Sequence, residues 1–148
     1  MLGYTDGSTQ SVSYLELADW ISRFCINVDE NLLQLWLRMV FSIAISNCDD
    51  HLRNHGFLLT PNGWTLSPAY DLNPLPYGTG LSLNINEYDN ALDFSLPVEV
   101  APYFGISKTF AEKNIDMIKQ EISRWRFFAE QYGISHDEQE RMNPAFRV

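Results

Sequence analysis

The apolar residues near the start of the chain recur with the spacing of an α-helix. Four of them share one helical face: Leu17, Trp20, Ile21 and Phe24. Intervals of three and four residues are typical of an amphipathic helix. Ser13 and Glu16 form the S-x-x-E pattern of a capping box just before this face. We therefore predict a short helix that begins near Ser13.

A second and broader apolar stripe follows, beginning near Asp29. Its members include Leu32, Leu33, Leu35, Trp36, Met39, Val40, Phe41, Ile43, Ala44 and Ile45. So wide a stripe covers more than one face of a helix, which is typical of a helix packed on most of its sides. We predict a central buried helix here.

Directly behind this stripe comes a dense polar run, residues 47–54 (NCDDHLRN), which we expect to form a loop. The apolar segments 56–59 (GFLL) and 64–66 (WTL) flank the turn sequence 61–63 (PNG). Because Asn-Gly readily adopts the positive φ of tight turns, these segments predict a small β-hairpin.

Prolines and glycines interrupt residues 73–102, so we expect an extended segment lying over the helices. A long helix is then predicted from Ser107 to Gly133. Its inward-facing residues are Phe110, Ile115, Ile118, Ile122, Trp125 and Phe128. A second capping box, Ser135 and Glu138, predicts a short last helix that ends at Pro144. The pattern predicts one mainly α-helical domain with one small β-hairpin over residues 1–148.

Composition adds two limits to this picture. The 148 residues are 45% hydrophobic and 20% charged, the ordinary balance of a globular domain. The formal net charge is −9, so general neutralisation of a phosphate backbone cannot drive binding, and we expect no direct nucleic-acid binding.

The sequence also bears on location. Cys25 and Cys48 form neither a disulfide framework nor a zinc-ligand spacing, which fits a reducing compartment. No apolar segment is long enough to span a bilayer, and residues 1–6 lack the basic start of a secretory signal. We expect a cytoplasmic protein without a membrane partner.

The chemistry is concentrated in the polar loop and just after the hairpin. Asp49 and Asn54 lie five positions apart on the loop, and Asp71 follows the hairpin. In protein-kinase-like folds this order serves phosphoryl transfer: a catalytic Asp, a metal-binding Asn, a hairpin and a second metal-binding Asp. Magnesium takes hard oxygen ligands from few protein groups, while a separate carboxylate must face the attacking hydroxyl.

Residues 47–59 (NCDDHLRNHGFLL) and 66–74 (LSPAYDLNP) strongly resemble the HipA-like serine/threonine kinases of bacterial toxin–antitoxin systems. The resemblance extends from residues 13–18 to residues 140–142 and implies the helical C-lobe of that fold. It implies that Asp49 is the catalytic base and that Asn54 and Asp71 hold Mg²⁺ and, through it, ATP. It also implies that His51 and Arg53 lie near the transferring phosphate. His51 is otherwise a solvated loop histidine, and Arg53 otherwise pairs with a loop carboxylate such as Asp50.

The same resemblance implies an N-terminal lobe with a phosphate-covering loop and an ATP-contacting lysine. The first lysine of this sequence is Lys108. We therefore expect a C-lobe that is incomplete by itself: a shortened chain, a remnant, or one half of a split kinase. The implied partners are an N-lobe polypeptide, a DNA-binding antitoxin and a protein substrate such as an aminoacyl-tRNA synthetase.

Other interpretations remain open at this point. The chain could be a non-catalytic interaction or regulatory module that binds an antitoxin or an N-lobe. Alternatively, Asp49, Asp50, His51 and His55 could surround the metal of a phosphohydrolase. Near these residues, we interpret Cys48 as a packed small residue rather than a nucleophile. We interpret residues 78–80 (GTG) as a flexible turn rather than a phosphate cradle.

Overall fold

The computed structural model describes residues 12–148 of the chain. All but Val12 of the polar start at residues 1–12 lies outside this part. The helices are α1 (Tyr14–Phe24), α2 (Val28–Ala44), α3 (Ser95–Val100), α4 (Lys108–Ile122), α5 (Trp125–Gln131) and α6 (His136–Met142). The strands are β1 (Phe57–Thr60) and β2 (Gly63–Leu66). Short 3-10 turns lie at Leu52–Asn54, Ala101–Phe104 and Asn143–Ala145. The mainly α-helical class with one hairpin is confirmed.

Helix α1 begins where the capping box predicts. The backbone N–H of Ser13 donates to Glu16 Oε1 at 3.3 Å, and Leu17 and Ile21 are buried against the core. Trp20 contacts the hairpin, with its ring 4.2 Å from that of Phe57 between centroids. Phe24, placed on the apolar face by its spacing, is 56% exposed because it lies in the last turn of the helix.

Helix α2 is the predicted central helix, and it contacts α1, α3, α4 and β2. Its buried apolar side chains are Leu32, Leu35, Trp36, Met39, Val40, Ile43 and Ala44. The indole N–H of Trp36 donates to the carbonyl of Pro97 at 2.9 Å and so links α2 to α3.

The hairpin is antiparallel, with Phe57 opposite Leu66 and Thr60 opposite Gly63. The two-residue connection is therefore residues 61–62, and Gly63, with φ of 133°, belongs to β2 rather than to the turn. Buried Asn31 of α2 holds the second strand, because its Oδ1 accepts from Leu66 N at 2.9 Å. The core thus fixes where the hairpin lies.

Residues 73–94 follow an irregular path over the helices, as predicted, and bury Leu81, Leu83 and Ile85. The prediction is wrong from residue 95, where α3 begins. Pro97 occupies the first turn of α3, where no intrahelical N–H bond is lost, so proline is tolerated there.

The predicted long helix over residues 107–133 is also wrong in part, because the chain breaks at Ser123 and Arg124 into α4 and α5. The break turns Phe128 outward, and Phe110 near the start of α4 is likewise exposed. The last helix, α6, is confirmed, including its Ser135–Glu138 capping box.

The C-terminal segment returns to the end of α2. Arg147 N donates to the Ala44 carbonyl at 2.8 Å, and Arg147 Nε donates to Ser46 Oγ at 2.9 Å. The Phe146 ring stacks on Trp125 with centroids 4.2 Å apart. Within residues 12–148, no helix combines the length and apolar character that crossing a bilayer requires.

Candidate functional site

The polar loop leaves the core at a fixed point behind α2. Ser46 is buried with a φ of 50°, which turns the chain out of the helix. Asn47 is fully buried, and its backbone N–H donates to the Ser42 carbonyl at 2.8 Å. The loop that follows therefore starts from a rigid base.

Asp49 and Asn54, five positions apart on this loop, are held together by a hydrogen bond. Asn54 Nδ2 donates to the Asp49 backbone carbonyl at 3.1 Å. The Asp49 side chain is 71% exposed, while Asn54 is buried. This bond uses the amide nitrogen of Asn54, so the amide oxygen Oδ1 could act as a metal ligand.

His51 lies near the Asp49 carboxylate, and Arg53 contacts His51. His51 Nε2 is 3.7 Å from Asp49 Oδ1, and Arg53 Nη2 is 3.5 Å from His51 Nε2. Three predicted site residues therefore form one chain of contacts on the exposed side of the loop. The two basic side chains are thus close to each other, and His51 is close to the Asp49 carboxylate.

The other side of the loop faces the core and carries residues that were not predicted as part of a kinase site. Asp50 and His55 have side chains only 2% and 3% exposed, and His55 Nε2 lies 2.8 Å from Asp50 Oδ1. The Tyr14 hydroxyl donates to Asp50 Oδ2. The sequence signal for this pairing is the position of Asp50 and His55, each directly after a predicted site residue.

Asp71 is an exposed residue with φ of 57°, close to the loop. Its Oδ1 accepts from Asn73 Nδ2 at 2.7 Å. On one side, the Tyr70 hydroxyl donates to the Arg53 carbonyl at 2.5 Å. On the other, Asn73 N donates to Asn47 Oδ1 at 3.3 Å. The residues flanking Asp71 are thus bonded to both ends of the loop.

Gly56 permits this close approach of the two segments. Ser67 N donates to the Gly56 carbonyl at 2.9 Å. A Cβ at Gly56 would lie 3.1 Å from Ser67 Oγ and 3.2 Å from Tyr70 Oη, so a side chain there would press on both. The sequence shows the glycine, but not what it approaches.

Arg38 is a second residue that sequence reasoning missed. It is buried on α2, and its Nη2 donates to the Ser67 carbonyl, at the start of the segment that leads to Asp71. Burial lowers the pKa of Arg38, and the nearby Tyr70 acts in the opposite direction. Arg38 lies among the many apolar residues of α2, and nothing in its spacing marks it as buried.

Cys48, just before Asp49, is a partly buried free thiol whose pKa is raised by burial. A Cβ added at Gly78 would overlap Cys48 Sγ. The Ser82 hydroxyl donates to the Cys48 carbonyl at 2.7 Å. Residues 78–82 thus pack against Cys48, so the glycine at 78 serves this close approach.

Two oxygen groups at the site are of the kind that magnesium prefers as ligands. Asn54 Oδ1 and the Asp71 carboxylate are hard oxygen ligands on two segments that are bonded to each other. Magnesium is commonly held by one or two such groups, with water and substrate phosphates completing its coordination. Among residues 12–148, no cluster of three or more His, Cys, Asp or Glu side chains could hold a metal.

The phosphohydrolase alternative needs Asp49, Asp50, His51 and His55 around one ion. The structure separates them instead. Asp49 is exposed on one side of the loop, whereas Asp50 and His55 are buried on the other and bonded to each other. This arrangement argues against a metal held by all four.

The sequence model of the HipA-like C-terminal domain matches residues 1–126, which include the polar loop, the hairpin and Asp71. A search of curated proteins found no match.

Proposed function

Because the chain belongs to the family of HipA-like C-terminal domains, we propose that it is the C-lobe of a protein serine/threonine kinase. The proposed reaction moves the γ-phosphate of ATP to a protein hydroxyl. The observation that supports it best is the Tyr70–Arg53 hydrogen bond, which holds the segments of Asp71 and Asn54 together. The exposed carboxylate of Asp49 lies on the same loop.

In this proposal Asp49 orients the acceptor hydroxyl and takes its proton. Its exposure leaves room for a substrate side chain, and a carboxylate within hydrogen-bond reach is suited to this role. His51, which lies near Asp49, and Arg53, which contacts His51, would stabilise charge on the phosphate.

Asn54 and Asp71 would hold Mg²⁺. The ion, when bound, neutralises charge on the ATP phosphates. The protein contributes the positions of the two oxygen donors. Asn54 is fixed by its bond to the Asp49 carbonyl, and Asp71 by its bond to Asn73. Held in this way, the donors lose little freedom when they bind the ion.

We further propose that an N-lobe polypeptide supplies the ATP-contacting lysine and the phosphate-covering loop. The family points to a toxin role in which a DNA-binding antitoxin restrains the kinase. A protein substrate such as an aminoacyl-tRNA synthetase, and a cytoplasmic location, complete the proposal.

Calorimetric titration with Mg·ATP tests the metal half of the site. The variant is Asp71→Asn, and the matched control is Asp116→Asn, which makes the same change at an exposed position on α4. We expect saturable heat from the wild type and from Asp116→Asn, and none from Asp71→Asn. Equal binding by all three would contradict the proposed metal site and favour a non-catalytic interaction module. No binding by the wild type would mean that the metal half-site does not work without the N-lobe, and the same three proteins are then compared in the assembled kinase.

A further inference from the structure

Three buried polar side chains, Tyr14, Asp50 and His55, form a connected network beneath the candidate site. The two oxygens of Asp50 have different partners: Oδ1 faces His55 Nε2 at 2.8 Å, and Oδ2 accepts from the Tyr14 hydroxyl. Tyr14 is fully buried and the other two side chains are nearly so, which keeps all three away from any substrate.

The network is attached to Asp49 and Asn54 through the peptide chain. Asp50 directly follows Asp49, and His55 directly follows Asn54. The Asp50–His55 bond therefore fixes the span between two points, each one residue from a proposed functional group. The bond of Asn54 Nδ2 to the Asp49 carbonyl spans the same part of the loop.

We propose that the Tyr14–Asp50–His55 network is a positioning device that sets the separation of Asp49 and Asn54. Asp50 and His55 are positioning residues because they act through their neighbours. The roles of Asp49 as base and of Asn54 as metal ligand rest on the proposed kinase function. The mechanical claim, that the network holds the loop, does not.

Tyr14 makes α1 part of this device. It is the first residue of α1, its ring packs edge-on against His55 at 5.4 Å between centroids, and its backbone N–H donates to the Asn84 carbonyl at 2.9 Å. Removing the hydroxyl alone would leave a buried carboxylate oxygen of Asp50 without its donor. A buried polar atom that lacks its hydrogen-bond partner is costly, so the loop would shift to expose this oxygen to water.

Amide hydrogen exchange, monitored by NMR in the wild type and in Tyr14→Phe, tests the proposal without any ligand. Two loop amides report on it: Asn54 N donates to the His51 carbonyl at 2.8 Å, and His55 N donates to the Leu52 carbonyl at 3.1 Å. We expect both to exchange about ten-fold faster, because the local opening that exposes them becomes easier. Amides of α4 should be unchanged. Tyr132→Phe, which removes an exposed hydroxyl, is the matched control and should change neither set.

Ile115→Val, a core change on α4, separates positioning from general loss of stability. If Ile115→Val loses as much thermal stability as Tyr14→Phe, it should still not speed amide exchange selectively in the loop. Unchanged exchange at Asn54 and His55 in Tyr14→Phe, or equal acceleration in loop and α4, would overturn the positioning proposal. Asp50→Asn, which keeps the side-chain shape, replaces Tyr14→Phe if that variant does not fold.

A parallel Mg·ATP titration distinguishes the two proposals. Binding by the wild type that weakens in Tyr14→Phe, together with selective loop exchange, supports both. If Asp71→Asn binds Mg·ATP as tightly as the wild type, the proposed metal site of the kinase fails, while the exchange result still decides whether the network positions the loop.

Discussion

The Tyr70 hydroxyl donates a 2.5 Å hydrogen bond to the carbonyl of Arg53. Tyr70 precedes Asp71 and Arg53 precedes Asn54, so a single side chain links the residues next to both proposed metal ligands. A hairpin alone brings two strand ends to one edge. This bond sets how close the segments beyond those ends lie.

Tyr70→Phe should weaken Mg·ATP binding without unfolding the protein. The loss of one hydrogen bond is worth about 1 kcal/mol, which corresponds to roughly five-fold in Kd. Calorimetry measures the change, and Tyr77→Phe, on a side chain that is 82% exposed, is the control. Equal affinities for the two variants would mean that the Tyr70–Arg53 bond does not position the ligands.

Asp49→Asn should abolish phosphotransfer while preserving Mg·ATP binding. An amide cannot accept the proton of the attacking hydroxyl, and a positioned acid or base typically contributes about 10²- to 10⁴-fold to the rate. Transfer of labelled phosphate from ATP to protein in the assembled kinase measures the loss. Asp137→Asn, an exposed change on α6, is the control. Full transfer by Asp49→Asn would exclude Asp49 as the base.

Gly78→Ala should destabilise the fold, because its methyl group would overlap Cys48 Sγ. Overpacking of this kind costs about 1–3 kcal/mol, which urea unfolding resolves. The double variant Gly78→Ala with Cys48→Ala should recover part of the loss, since the smaller side chain makes room. Additive effects of the two changes would show that the clash is relieved elsewhere.

Ser135→Ala should raise the pKa of Glu138. Hydrogen bonds from Ser135 hold that pKa below its ordinary value by stabilising the carboxylate. A lowered folded-state pKa means that the carboxylate supports α6 at higher pH and that this support is lost as pH falls through the lowered value. An NMR titration of the Glu138 carboxyl carbon follows both proteins. An identical midpoint in Ser135→Ala would contradict the capping role.

Much of the fold follows from local sequence rules. The capping boxes at Ser13 and Ser135 predict helix starts that the structure confirms, and the broad stripe before Asn47 predicts the central helix. The break at Ser123 could not be predicted, because Ile122 and Trp125 keep helical spacing across it. Helix α3 was not predicted because Pro97 suggested a break in helical structure. Proline is, however, compatible with the first turn of a helix, where Pro97 lies.

The candidate site divides in the same way. Spacing identified Asp49, Asn54 and Asp71 as residues to be brought together, and their chemical roles stay predictions. Spacing could not tell which of the adjacent Asp49 and Asp50 faces the core, since that depends on partners distant in sequence. Tyr14 is 36 residues from Asp50, and Arg38 is 29 residues from Ser67. Such contacts arise only from tertiary packing.

Arg147 has a consequence for where this domain can be cut. The family match ends at residue 126, which would suggest trimming the remainder before expression or grafting. A chain shortened there would lose the hydrogen bonds of Arg147 to Ala44 and Ser46. It would also lose the Phe146 ring that stacks on Trp125. The Ala44 carbonyl, just before the polar loop, would then lack the hydrogen bond that Arg147 donates. The smallest transplantable unit is therefore set by contacts in space and extends past the border of sequence similarity.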